Sequence, residues 1–92
     1  MEIIGERING MFKDIREAIK NFDKGPVQEW AIKQTNNGAT WLDINTGASA
    51  VDQIATMKWL VETVQEVVDT PLCLDSTNYD VIEAGLKLCK KP

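Results

Sequence analysis

Three short apolar runs in this chain each end in a cluster of polar side chains, at residues 3–9, 41–47 and 72–78. Each run is followed by a segment in which apolar residues recur at helical spacing, so we interpret the runs as parallel strands that alternate with helices. Neighbouring parallel strands end at the same edge of a sheet, and α/β proteins place their ligand sites there. The pattern therefore predicts an α/β fold in which carboxylates and carboxamides gather at one edge.

The spacing of the strands indicates which α/β architecture to expect. Strands that begin near Ile3, Thr40 and Leu72 are 37 and 32 residues apart, and a (β/α)8 barrel of roughly 250 residues has about 30 residues in each βα unit. We therefore predict the N-terminal three βα units of a TIM (β/α)8 barrel. Three units cannot close a barrel, so we expect residues 1–92 to form one partial barrel domain of a longer protein. The predicted strands lie near residues 3–8, 40–45 and 72–75.

Four helical segments complete the predicted order, β-α-α-β-α-β-α. The first spans residues 13–21, and the second begins at Pro26, whose fixed φ suits the first position of a helix. Gly38 is a favourable left-handed residue to end this second helix. The candidate N-terminal caps are Ser49 or Asp52 for the third helix and Asn78 or Asp80 for the fourth.

The composition excludes several classes of function. The formal net charge is −4 and the 10 basic residues are scattered along the chain, so nucleic acid is not an expected partner. No apolar run approaches the roughly 20 residues that span a bilayer, and the start lacks a signal-peptide pattern, so we expect a cytoplasmic protein without membrane contact. The chain has no histidine, which removes Ser–His and Cys–His catalytic pairs and the commonest metal ligand. No metal site is predicted.

The cysteines and tryptophans are expected to be structural. Cys73 and Cys89 lack the spacing of a zinc site or a redox CxxC motif, and we expect both to be reduced thiols that pack like small hydrophobic residues. Trp30, Trp41 and Trp59 lie on predicted helices or at a strand start, where they suit packing or a subunit contact.

Asp75 is the first candidate for a binding residue. It directly follows the apolar run 72–74, where burial of an unpaired carboxylate is costly. At a barrel mouth a carboxylate can accept two parallel N–H bonds from a heterocycle. The alternative is that Asp75 or Ser76 caps the next helix or accepts hydrogen bonds from loop amides, and the residue alone does not separate these two interpretations.

Asp43 and Asn45 extend this candidate site to the second strand. They are two residues apart, so their side chains lie on the same face of the strand. In a barrel that face is the interior, beside Asp75. The alternative is an ordinary turn at the end of the strand, which favours the same residue types.

The first strand repeats the pattern with Arg7 and Asn9, which are also two residues apart. Either Arg7 contacts a ligand at the mouth, or it forms an ion pair with a carboxylate that holds the mouth together. Glu6 is expected to point the opposite way and to have a structural role.

Together, the polar segments resemble those of the pterin-binding methyltransferases. The resemblance is greatest to the methyltetrahydrofolate:corrinoid/iron-sulfur protein methyltransferases of the acetyl-CoA (Wood–Ljungdahl) pathway. It runs along the whole chain but covers only about the first third of such a barrel protein. The residues that carry it are IIGERING at 3–10, LDIN at 42–45 and LCLDSTN at 72–78, with PVQEWA at 26–31 and WLVE at 59–62.

The resemblance implies a TIM barrel, usually homodimeric, that binds the pterin ring of methyltetrahydrofolate at its mouth. It also implies transfer of the N5 methyl group to cobalt(I) of a corrinoid, which a separate corrinoid iron-sulfur protein carries. Asp75 matches the third-strand aspartate of the family that hydrogen-bonds the pterin ring, and Asn9, Asp43 and Asn45 match mouth positions. The asparagine that the family uses at N5 lies on a later strand. We therefore expect no catalytic residue within this chain and no methyl transfer by residues 1–92 alone.

Three alternatives accompany this prediction. A related corrinoid protein:tetrahydrofolate methyltransferase of methylamine or betaine metabolism would move the methyl group in the opposite direction and bind the same pterin. A non-catalytic structural or interaction module would use the exposed strand edge to recruit a partner. Dihydropteroate synthase, a further pterin-binding relative, is less favoured because no pyrophosphate site is evident in these three units.

Overall fold

Three parallel strands form the centre of the computed structural model, which describes residues 2–48 and 50–90. The order of elements is the predicted one, and the strands lie side by side as β1-β2-β3. The strands are β1 (Ile4–Asn9), β2 (Trp41–Asn45) and β3 (Leu72–Asp75), and the helices are α1 (Lys13–Asn21), α2 (Lys24–Asn36), α3 (Gln53–Gln65) and α4 (Tyr79–Leu86). This α/β arrangement is consistent with part of a TIM barrel. Three strands do not show a closed barrel, which therefore stays a prediction.

The helices cover one face of the sheet and form the core with it. Ile8, Leu42 and Ile44 alternate with polar residues along β1 and β2, and all three are fully buried against the helices. Each such side chain contributes about 2 kcal/mol to folding. Helix α3 provides a large share of the core, with buried Thr56, Met57, Leu60, Val61, Thr63 and Val64.

The other face of the sheet, which we call the open face, has no helix of the described residues packed on it. Because successive strand residues point to opposite faces, Leu72 turns to the core and Cys73 turns to the open face, where it is exposed. The prediction that Cys73 packs as a buried thiol is therefore wrong for this part of the chain. Cys89 is partly buried against the core, and burial raises the pKa of its thiol.

Helix α2 begins earlier than the sequence predicts. Its N-terminal cap is Asp23, whose carboxylate accepts a hydrogen bond from the Gly25 amide at 3.1 Å. An aspartate is a better cap than the residues that follow it, so the helix starts at Lys24 and Pro26 occupies its third position. Proline is tolerated there because the first turn needs no amide donor. Gly38 has φ +101°, the left-handed conformation predicted for it.

Two side chains cap the later helices. Asp52 accepts a hydrogen bond from the Ala55 amide at 3.0 Å and caps α3. Asn78 accepts one from the Asp80 amide at 2.9 Å and caps α4, so Asp80 lies within the first turn. Ser49, the other candidate cap of α3, lies outside the described residues.

Gly10 and Gly47 bring the loops after β1 and β2 into direct contact. The Gly10 amide donates to the Asn45 carbonyl oxygen at 2.9 Å. A Cβ atom on Gly10 would lie 2.1 Å from the Thr46 carbonyl oxygen, and one on Gly47, which has φ +78°, would lie 2.9 Å from Gly10 Cα. Only residues without a side chain allow the two carboxyl ends to approach this closely.

We expect Gly10→Ala in the full-length protein to lower the free energy of unfolding by about 3 kcal/mol, because the new methyl group meets rigid backbone. Gly25→Ala is the control. Its Cβ would meet only the flexible Asp23 carboxylate at 3.3 Å, and glycine to alanine within a helix is neutral or stabilising by about 0.5–1 kcal/mol. Chemical denaturation measures both variants, and equal stability of the two would contradict the close approach.

Candidate functional site

The ends of the three strands lie in register at one edge of the sheet. Asn45 of β2 pairs with Asn9 of β1 on one side and with Asp75 of β3 on the other. Neighbouring strands are about 4.8 Å apart, so these three side chains form a row across the open face. The parallel register thus brings together three of the four predicted site residues.

Asp43, the fourth, lies two residues before Asn45 on the same face of β2. Its carboxyl group lies near that of Asp75 on β3, close enough for the two negative charges to interact. Burial, the negative charges of Asp75 and Glu6, and hydrogen bonding with the Asp75 side chain together raise the pKa of Asp43 to about 6. Near neutral pH, the Asp43 carboxyl group therefore gains and loses its proton readily.

Glu6 belongs to this group because β1 contains a bulge. In the register with β2, Gly5 pairs with Leu42 and Ile8 with Ile44. Three steps along β1 therefore match two steps along β2, and Glu6 and Arg7 both lie opposite Asp43. The extra residue lets Glu6 and Asn9 share the open face although they are three residues apart. We call Glu6, Asp43 and Asp75 the carboxylate cluster.

The prediction that Glu6 points away from the site is wrong, because it assumed strict alternation along β1. A glycine inside a strand is a known signal of a bulge, and Gly5 precedes Glu6 directly. The sequence therefore contained a hint of this arrangement. It did not show where the extra residue would lie.

Arg7 does not contribute to the open face. Its Nη2 atom lies 2.8 and 2.9 Å from the two carboxylate oxygens of Asp14 on α1. Its guanidinium carbon is 4.1 Å from the ring centre of Phe12 and 4.4 Å from that of Trp30, and the Trp30 indole also donates to Asp14 at 2.9 Å. Of the two alternatives for Arg7, the structure shows the ion pair.

The Asp14 carboxylate depends on these neighbours for its charge. Burial raises the pKa of Asp14, but hydrogen bonds from Arg7, Trp30 and the Ile15 amide outweigh it and leave the pKa below its ordinary value. Arg7 is thus neutralised on the helix side of the sheet. Within the described residues, no lysine or arginine forms an ion pair with the carboxylate cluster.

The two asparagines use one side-chain atom each to shape the loops. Asn9 Oδ1 accepts from the Met11 amide and Asn45 Oδ1 from the Gly47 amide, both at 2.8 Å. The side-chain oxygen of Asn45 therefore has the turn-forming role that was the alternative to ligand binding. Neither side-chain NH2 group donates to another described residue, so both groups are available to a ligand.

Asp75 is free of the capping role that was its alternative. Asn78 caps α4, and the Ser76 hydroxyl accepts from the Asn78 amide at 3.1 Å. The Asp75 carboxylate is exposed at the end of β3. The oxygen atoms of this carboxylate are therefore accessible to solvent and to a ligand.

The site can accept and donate hydrogen bonds on one surface. A carboxylate accepts from N–H groups, a protonated carboxyl donates, and the asparagine NH2 groups donate.

Among residues 2–48 and 50–90 no group of three or more His, Cys, Asp or Glu side chains could hold a metal ion. No helix in that same part of the chain is long and apolar enough to cross a membrane.

Comparisons of the chain with a family model and with known proteins agree on one family. The family model described as pterin binding enzyme matches residues 9–91. The chain is 39% identical over 92 residues to a methylcorrinoid:tetrahydrofolate methyltransferase of Eubacterium limosum. The aligned region covers 100% of this chain and 34% of that protein. It is 36% identical over 86 residues to methionine synthases of Mycobacterium tuberculosis and Mycobacterium leprae, which covers 92% of this chain and 7% of each. The chain thus spans about a third of the first relative.

We expect Asp43→Asn in the full-length protein to remove a pH-dependent loss of stability. The pKa of Asp43 is raised from 3.8 to about 6, so the original protein is most stable, relative to this variant, below pH 3.8 and loses that stability as the pH rises through about 6. The melting temperature of the variant should therefore exceed that of the original protein above pH 6, with no such gain below pH 3.8. Asp69→Asn, the same change at an exposed residue before β3, is the control. A difference in melting temperature between Asp43→Asn and the original protein that stays constant across this pH range would contradict the raised pKa.

Proposed function

Because this chain belongs to the pterin binding enzyme family, we propose that the open face at the carboxyl edge binds the pterin ring of a tetrahydrofolate. The observation that carries this proposal is the pair of neighbouring carboxyl groups on the open face, the half-buried Asp43 with its raised pKa and the exposed Asp75. Charged groups in that arrangement are poorly explained as core packing. They are well suited to a polar heterocycle.

The hydrogen-bonding groups of a pterin match those of the site. The 2-amino group and N3–H of the ring are adjacent donors, which one carboxylate can accept as a pair, and we assign this role to Asp75. The ring also carries acceptor nitrogens and a carbonyl oxygen, which suit a protonated Asp43 and the NH2 groups of Asn9 and Asn45. The raised pKa of Asp43 lets the same site accept and donate hydrogen bonds near neutral pH.

We further propose that the whole protein transfers a methyl group between N5 of the folate and a corrinoid. The cobalt of the corrinoid, carried by a separate protein, supplies the group that accepts or donates the methyl. The residues of this chain bind and orient the folate, which contributes to rate by fixing the geometry of attack. A residue that assists N5 is expected on a later strand, so residues 1–92 alone should show no turnover.

The first candidate for the complete reaction is transfer from methyltetrahydrofolate to cobalt(I) of a corrinoid iron-sulfur protein in the acetyl-CoA (Wood–Ljungdahl) pathway. Its support is the resemblance of the three polar segments. In this proposal the protein is a cytoplasmic homodimer of closed TIM barrels, in which further strands pair with the outer edges of β1 and β3.

The second candidate is the reverse transfer, from a methylated corrinoid protein to tetrahydrofolate. The name of the relative from Eubacterium limosum favours it, because that protein is a methylcorrinoid:tetrahydrofolate methyltransferase. The pterin site is the same in both cases. The direction depends on the partner and on the supply of each substrate.

We expect Asp75→Asn in the full-length protein to weaken binding of methyltetrahydrofolate about 10- to 100-fold, because one hydrogen bond to a charged group contributes about 1.5–3 kcal/mol. Calorimetric titration measures the affinity. Asp69→Asn, the same change in an exposed residue before β3 at the opposite edge, is the control and should bind normally. Unchanged affinity of the Asp75 variant would remove this residue from the site.

Methyl transfer by the full-length protein should be measurable with a corrinoid protein in at least one direction. One reaction contains methyltetrahydrofolate and the reduced corrinoid protein, and the other contains the methylated corrinoid protein and tetrahydrofolate. The visible spectrum of the corrinoid reports the methyl group on cobalt. A faster second reaction would favour the second candidate, and absence of transfer in both would contradict the proposed reaction.

A further inference from the structure

We propose that Gln34, on the helix side of the sheet, is a positioning residue for the carboxylate cluster, because its side chain holds the bulge of β1 that keeps Glu6 beside Asp43. The proposal deepens the proposed function and rests on it only for the consequence in pterin binding. Gln34 lies on α2, on the side of β1 away from the open face. It would act through the backbone of β1 rather than by touching a ligand.

The contact between Gln34 and the bulge is direct. The Arg7 amide, within the bulge, donates to Gln34 Oε1 at 2.9 Å across 27 positions of sequence. A bulge leaves one strand residue without its ladder partner, and a partly buried amide without an acceptor is destabilising. The glutamine oxygen supplies that acceptor.

Gly5 makes room for this contact. A Cβ atom at Gly5 would lie 2.6 Å from Gln34 Oε1 and 2.8 Å from its Cδ, which is closer than such atoms can approach. The missing side chain therefore leaves space for the carboxamide beside β1. Gly5 and Gln34 together accommodate the extra residue of the β1 bulge.

The bulge in turn determines which groups face Asp43. Ile8 is fully buried in the core and Asn9 pairs with Asn45, so the end of β1 is anchored. With a regular strand before that anchor, Glu6 would face the helices and Arg7 the open face. The bulge instead places an acidic residue beside Asp43 and keeps the basic one away.

Every neighbouring element contributes to the surroundings of Asp43. Glu6 approaches from β1 and Asp75 from β3, and Cys73 is its register partner on β3. Arg7 is held on the other side by Asp14. If Gln34 acts as proposed, its loss should weaken the effect of Glu6 on the pKa of Asp43. The effect of Asp75 on that pKa should remain.

The test is the titration of Asp43, followed by carboxyl 13C NMR in the full-length protein without any ligand. We expect Gln34→Leu to lower the titration midpoint from about 6 by about 0.5 pH, the effect of losing one nearby negative charge. Glu6→Gln should lower it by a similar amount. In the double variant, Gln34→Leu should add nothing, because its effect passes through Glu6.

Gln28→Leu is the matched control. Gln28 is also on α2, but it donates to the Thr63 carbonyl oxygen and to Glu66, remote from the bulge. This variant should lower stability without moving the Asp43 midpoint. A Gln34→Leu midpoint that is unchanged, or that shifts equally with and without Glu6, would overturn the proposal.

Two further measurements keep the test decisive if Gln34→Leu does not fold. Gly5→Ala retains the glutamine but displaces it, and it should shift the midpoint in the same direction. In the unaltered protein the Arg7 amide should exchange its hydrogen slowly, and rapid exchange would overturn the proposal. Because neither experiment uses a pterin, failure of the protein to bind methyltetrahydrofolate would contradict the proposed function and leave this result standing.

Discussion

The central position of β2 is the constraint on which the site depends. β2 pairs in parallel with β1 on one side and β3 on the other, and its own alternation sends Leu42 and Ile44 into the core. A slip of one residue would bury Asp43 and expose the leucine and isoleucine. The apolar face of β2 therefore holds the acidic face in place, and the neighbouring strands add their polar ends to it.

The separation of charges between the two faces of the sheet follows from the same packing. On the helix side, the Arg7 guanidinium is enclosed by aromatic rings and paired with Asp14. On the open face, Glu6, Asp43 and Asp75 lie near one another without such a partner among the described residues. Partial burial of Asp43 and the negative charges of its neighbours both disfavour its ionised form, and together they raise its pKa. Binding sites commonly contain groups perturbed in this way, because a ligand can relieve the repulsion that the protein cannot.

The family assignment and the geometry of the sheet are independent of each other, and they agree. The family model and the relatives indicate a pterin binding enzyme, and the strand register independently brings polar side chains together on one surface. Folds of this kind support many reactions, so the methyl transfer and the corrinoid partner stay proposals for the whole protein. What the described residues contribute is the proposed binding surface, with its groups oriented by the sheet.

The sequence alone determined the order of elements, the parallel strands and the row formed by Asn9, Asn45 and Asp75, because hydrophobic periodicity and unit spacing are local properties of the chain. It did not determine which face of the sheet the side chains of Glu6 and Arg7 point to. That depends on the bulge, which is stabilised by a contact between residues 27 positions apart, and no local pattern encodes it. The exposure of Cys73 was likewise decided by tertiary structure, since an apolar run does not show which face of a sheet the helices cover.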